Sequence, residues 1–132
     1  MTRRFGIDTS IFVRLITRDP EAAFARCVDA LRILMEMGGT EIIASNQVIG
    51  EAYIALQHHY GLSRADARAT LRDILGSGLV TPLNGRTVFA ILDVGGGPGL
   101  LDRLIADDYT RADLEVLTLD RNMAALAGVR RL

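Results

Sequence analysis

Apolar positions come along this chain in short blocks whose period changes from one block to the next. Phe5 and Ile7 flank Gly6, and the block stops on Asp8-Thr9-Ser10 before a new apolar pattern starts at Ile11. That reads as a short buried strand, with Gly6 allowing close packing, which delivers a carboxylate to its C-terminal end and runs straight into a helix. Helical spacing holds from Ile11 to Ile16 and stops near Thr17-Arg18-Asp19-Pro20. Pro20 suits the first turn of a second helix with Asp19 as its N-cap, and Phe24, Val28, Leu31, Leu34 and Met35 carry it on until Gly38-Gly39. Glu41 to Ala44 is a second strand, ending on the polar pair Ser45 and Asn46. Asn46 as N-cap opens a third helix whose apolar face includes Val48, Ile49, Ala52 and Leu56, and which ends at His59-Tyr60-Gly61. Glu51 stands in its second turn, where it can lean toward the same crevice as Asp8.

Ser63 caps a fourth helix, Arg64 to Leu75, and Leu79 to Thr81 is a weak third strand closed by Pro82. A short helix from Thr87 to Asp93 is followed by the run Gly95-Gly96-Gly97-Pro98-Gly99 and a helix from Leu100 to Asp108. Val116 to Leu119 is a strand ending on Asp120, Asn122 to Leu126 a last short helix, and Val129 to Leu132 an edge strand. Short strands alternating with helices predict an α/β chain, a parallel sheet with helices on both faces. Ligands bind such sheets in the crevice beyond the carboxyl ends of the strands, which is where Asp8 is expected.

Composition narrows this picture. The 132 residues are 49% hydrophobic, enough for one globular domain spanning residues 1–132 without disulfides or a structural metal. The single cysteine, Cys27, excludes a disulfide framework within the chain and favours a reducing, cytoplasmic setting with a buried, inert thiol. No apolar run approaches the roughly 18 residues of a membrane span, and no signal-peptide pattern precedes the first strand, so no membrane association is expected. A net charge of −1 argues against a globally basic nucleic-acid binder. All 15 basic residues are arginine, which leaves many planar groups suited to phosphates or carboxylates.

The chemistry lies with the acids. Asp8 and Asp120 follow strands, Glu51 sits on the helix after another strand, and Asp102 is on the helix leading toward the Asp120 strand. Clustered carboxylates repel one another unless protonated or bridged by a cation. If these four converge, an all-oxygen set calls for Mg²⁺ or Mn²⁺ rather than Zn²⁺. Such a centre can activate water and neutralise a phosphodiester. Taken singly, each acid has the plainer reading of a solvated end-of-element residue.

The segments Asp8-Thr9-Ser10, Ser45 to Glu51, Asp102 to Ala106 and Leu117 to Arg121, with the closing Ala127 to Leu132, together resemble the PIN-domain ribonucleases, and among them the VapC-type toxins. The resemblance covers nearly the whole chain and implies an α/β/α sandwich with a central parallel sheet. It further implies Mg²⁺- or Mn²⁺-dependent cleavage of an RNA substrate, a cognate antitoxin of a type II toxin–antitoxin pair, and a homodimer. Asp8, Glu51, Asp102 and Asp120 match the acidic metal-binding residues, and Thr118 matches the Ser/Thr two residues before the last acid, facing the same way as Asp120. The chain departs from the family where Asp-Ala is replaced by Asp102-Arg103, and where an acid shortly before gives way to the glycine run.

That run supports a rival reading. Ile91-Leu92-Asp93-Val94 leading into Gly95 to Gly99 resembles the first motif of S-adenosylmethionine-dependent methyltransferases, with Asp120 available for the ribose hydroxyls. Only 33 residues follow Gly99, too few to complete that sheet, and the glycines are read as a flexible connector between helices. A third reading is a non-catalytic PIN-like binding module. Arg103 is placed to pair with the acids, and the Arg64, Arg68 and Arg72 row to face solvent or an RNA backbone. Asp107 and Asp108 read as solvated, His58 and His59 as helix-end residues, and Tyr53 as a packing residue.

Overall fold

A computed structural model describes residues 3–36 and 38–132, which form two compact units, one ending at Gly85 and the other running from Arg86 to Leu132. The first unit runs β1 (Arg3–Gly6), α1 (Thr9–Thr17), α2 (Glu21–Met35), β2 (Thr40–Ala44), α3 (Asn46–His58), α4 (Arg64–Gly76) and β3 (Thr81–Pro82). The second runs α5 (Thr87–Asp93), α6 (Leu100–Arg111), β4 (Val116–Thr118), a 3₁₀ turn at Met123–Ala125 and β5 (Val129–Arg131). Every strand pairing among the described residues is parallel, in the ladders β1-β2-β3 and β4-β5. The architecture is therefore α/β with six helices among the described residues, as the alternating pattern predicts.

In the first unit β2 has neighbours on both sides and is the strand that is buried, with Ile42, Ile43 and Ala44 almost inaccessible. β1 is more open than expected: Arg3, Arg4 and Gly6 are exposed, and Phe5 is half-buried. Gly6 does not serve close packing, since a Cβ added there would meet nothing within 4 Å. α1, α3 and α4 pack on one another around Phe12, Ile49, Leu56 and Leu71, all buried. α2 differs. None of its residues is buried, Cys27 included, and the stripe Phe24, Val28, Leu31 and Met35 instead lines a groove of about 680 Å³ shared with α1 and α4.

The helix starts follow the capping chemistry with two shifts of position. Asp8 and Ser63 cap α1 and α4, accepting from the amides of Ile11 and Asp66. For α3 the cap is Ser45, which accepts from Val48, while Asn46 is already helical and buried. α2 begins from Pro20 with no side-chain cap, so Asp19 does not fill that role. The α3 shift has a simple origin: Ser and Asn both accept an orphan amide and are interchangeable in a local pattern, and the packing of the helix decides which one sits at the boundary.

In the second unit α5 packs on α6, and Ala106, Val116 and Met123 form a small core edged by Leu126 and Val129. Asp107 is not a solvated acid here. Its carboxylate is largely covered and accepts from Arg111 Nε at 3.3 Å and from the Thr87 hydroxyl at 3.3 Å, while Arg111 Nη2 donates to the same hydroxyl at 2.6 Å. That triangle ties the start of α5 to the end of α6. No helix among the described residues is long and apolar enough to cross a membrane.

Candidate active site

Asp8 is set by the turn from β1 into α1. Its extended backbone at φ −88° lets the side chain fold back over the first helical turn, where Oδ1 accepts from Ile11 N at 3.2 Å and from Ser10 Oγ at 2.6 Å. The Ser10 hydroxyl first, and the Ile11 amide second, hold the Asp8 carboxyl below the usual carboxylate range. Both of these bonds fall on Oδ1, so Oδ2 of an ionised, exposed carboxylate keeps its lone pairs for another ligand.

Glu51 reaches the same place from another element. Ser45 at the end of β2 starts α3, and the second turn of α3 presents Glu51 to the N-terminus of α1, against which α3 packs. There Thr9 Oγ1 donates to Glu51 Oε2 at 2.5 Å, and Gln47 Nε2, one turn earlier on α3, donates to Oε1 at 3.3 Å. One hydrogen bond on each oxygen fixes the carboxylate head and leaves each oxygen a second acceptor site. Since Thr9 is the chain neighbour of Asp8, the structure brings Asp8 and Glu51 together through it.

The remaining candidates belong to the second unit. Asp102 is half-buried in the first turn of α6, where the helix dipole favours a negative charge. Arg103 does not pair with it. Its guanidinium donates from Nε to Pro98 O at 2.9 Å and from Nη2 to Gly96 O at 3.0 Å, so the glycine run is a pinned loop rather than a loose connector. Gly97, at φ +72°, is also where a Cβ would come within 3.2 Å of that guanidinium. Asp120 lies two residues past the end of β4. Its amide donates to Thr118 Oγ1 at 3.0 Å, and its Oδ1 accepts from Asn122 N at 2.9 Å.

Sequence reasoning passed over Thr9, Ser10 and Gln47. A local signal exists for Gln47, which stands four residues before Glu51 on the same helix face, and for Ser10, two residues after a capping Asp. Nothing local points to Thr9 and Glu51 as partners, since 42 positions separate them. Among the described residues no three or more His, Cys, Asp or Glu side chains gather into a group that could hold a metal. The donors offered by Asp8 and Glu51 are hard oxygens on exposed carboxylates, a set that fits Mg²⁺ or Mn²⁺ and not a thiophilic ion.

Arg68 lies over the ring of Tyr53, itself buried in α3, and Tyr60 is exposed beyond the end of that helix. Ile91, Leu92 and Asp93 are in α5, so no strand runs into the glycine loop as a methyltransferase motif requires. A family model for the PIN domain matches residues 6–129. No curated protein and no solved structure matches the chain.

Proposed function

From the chain's membership of the PIN domain family, a family of nucleases, we propose that it is a Mg²⁺- or Mn²⁺-dependent endoribonuclease, the toxin of a type II toxin–antitoxin pair, acting as one PIN-like domain over residues 1–132. The observation that carries the reading is the pair Asp8 and Glu51. One is held ionised with an oxygen to spare, and the other is fixed by Thr9 and Gln47 beside it. Carboxylates prepared in this way, one just past the carboxyl end of β1 and one on the helix that follows β2, suit cation binding better than covalent attack.

Asp8 and Glu51 would hold the ion. When bound, it supplies Lewis acidity, polarising the phosphodiester and lowering the pKa of an attacking water. The residues of the chain do the positioning. Asp8 and Glu51 offer acceptor sites that orient the water. Water adds to phosphorus in line, the bond to the 3′-oxygen breaks, and the products carry a 5′-phosphate and a 3′-hydroxyl.

The test is RNA cleavage by the purified protein with Mg²⁺ or Mn²⁺, beside EDTA and Asp8→Asn. Cleavage is expected to need the metal and to fall by more than the roughly 10–100-fold typical of losing a supporting residue at a metal site. Equal cleavage in EDTA would sink the metal reading, and full activity in Asp8→Asn would remove Asp8 from the site. The antitoxin, the homodimer and a cytoplasmic location belong to the same proposal. For the antitoxin, the groove along α2 supplies apolar surface and the exposed acids supply charge for a basic side chain.

A further inference from the structure

The sheet face opposite Phe5 and Ile42 carries a second, smaller recess. Arg4 stands opposite Glu41, and Gly6 opposite Ile43, so these four residues share a face. Over them lies a cleft of about 260 Å³ lined by Arg4, Gly6, Ile7, Ile43, Ser45 and Leu83. Its floor is strand backbone. Gly6 has no side chain, and the space a Cβ would occupy is open to 4 Å.

One wall is Leu83, which is 54% exposed although its amide is tied to Ala44 O at 2.8 Å, so a large apolar side chain is held in place facing water. Another wall is Arg4, whose Nε donates to Glu41 Oε2 at 3.1 Å, an exposed pair that orients the guanidinium plane. At the carboxyl end stands Ser45, whose oxygen accepts from Val48 N and whose proton is left to donate. The cleft also adjoins two of the candidate carboxylates in the chain, Asp8 and Glu51, since Ile7 precedes Asp8 and Ser45 caps the helix that carries Glu51.

We propose that this cleft seats one unstacked nucleobase of the RNA, next to the phosphate that is cut. The inference rests on the nuclease reading and adds a subsite to it. A planar ring needs a floor without a Cβ, aliphatic edges, a flat cation to stack against and a polar group at its rim. Gly6, Ile43 with Leu83, Arg4 and Ser45 supply these in turn. The cleft is smaller than the usual site for a drug-sized ligand, which suits a single ring system. It does not suit an isolated anion: its one cation is already neutralised by Glu41, and Asp8 is close by in the chain.

The experiment is a metal-free NMR titration of the protein with nucleoside 5′-monophosphates, with ribose 5-phosphate as the control, on the wild type, Gly6→Val and Arg4→Ala. Gly6→Val is compatible with the strand, because the added Cβ meets nothing within 4 Å and a β-branched residue suits extended backbone. Arg4→Ala leaves the strand backbone untouched and serves if Gly6→Val fails to fold. Saturable shifts at Gly6, Ile43 and Leu83 are expected with the nucleotides and not with ribose 5-phosphate, with at least tenfold weaker binding in each variant. Absence of shifts in the wild type, equal shifts with ribose 5-phosphate, or unchanged affinity in the variants would overturn the proposal. A protein that cuts RNA yet shows no such binding retires the cleft and leaves the nuclease reading standing. Binding lost in Gly6→Val from a protein that cuts no RNA does the reverse.

Discussion

Asp8 serves two purposes with one carboxylate. As the cap of α1 it must stay ionised to accept well from Ile11, and Ser10 adds the bond that lowers its pKa furthest. A group whose folded pKa lies below its unfolded value stabilises the fold above the unfolded value, about 3.9, and loses that contribution as the pH falls through the lowered one. Ser10→Ala removes the larger cause, so the Asp8 carboxyl should titrate at higher pH when followed by carbon NMR. The variant should be less stable than wild type in urea near neutral pH, with the gap closing in acid. A gap that stayed constant down through the acid range would point to helix propensity and not to the carboxylate. Thr9 shows the other side of residue-scale reasoning. Its part in the site is a contact with Glu51, made possible only once α1 and α3 are packed.

At the scale of elements, the stretch between α5 and α6 changes its meaning in three dimensions. A glycine-rich run reads as slack chain, but the Arg103 side chain holds the carbonyls of Gly96 and Pro98 and so closes the loop onto the first turn of α6. Charged donors to such carbonyls are worth about 1–3 kcal/mol together at a half-buried position. Arg103→Ala should therefore cost about that much stability and raise the amide exchange of residues 95–98. Unchanged exchange in that loop would show that the glycines hold their shape without the arginine. α2 is the opposite case, a helix whose regular apolar stripe promises burial but lines a groove. Amphipathic spacing shows which residues share a face, and carries no information about what that face meets.

Across the molecule, apolar burial is unevenly shared. The first unit has β2 at its centre and fully covered side chains from α1, α3 and α4, and α5 and α6 bury Val88, Leu92, Leu100 and Leu104, whereas the core beside β4 is the small group Ala106, Val116 and Met123. Local opening costs least where few apolar contacts must be broken. Native-state hydrogen exchange should thus show the amides of β2 and α3 protected nearly to the level of global unfolding, and those of β4 and β5 exchanging through a smaller opening. Equal protection in both would mean that the chain opens only as a whole.

The sequence by itself determined the α/β alternation, the parallel pairing, most helix starts and the positions of the acids at element ends. These depend on short-range chemistry: hydrophobic period, capping oxygens and turn residues act within a few positions. Even there the choice of Ser45 over Asn46 as cap needed the packed helix. Only the tertiary structure decided that Thr9 and Gln47 fix Glu51, that Arg103 closes a loop instead of meeting an acid, that Asp107 is tied to Thr87 and Arg111, and that Gly6 underlies an open cleft. Except for Gln47 and the Asp107–Arg111 pair, whose i,i+4 helix spacing was a local signal, each of these depends on what one segment meets in another, and periodicity within a segment does not encode that encounter.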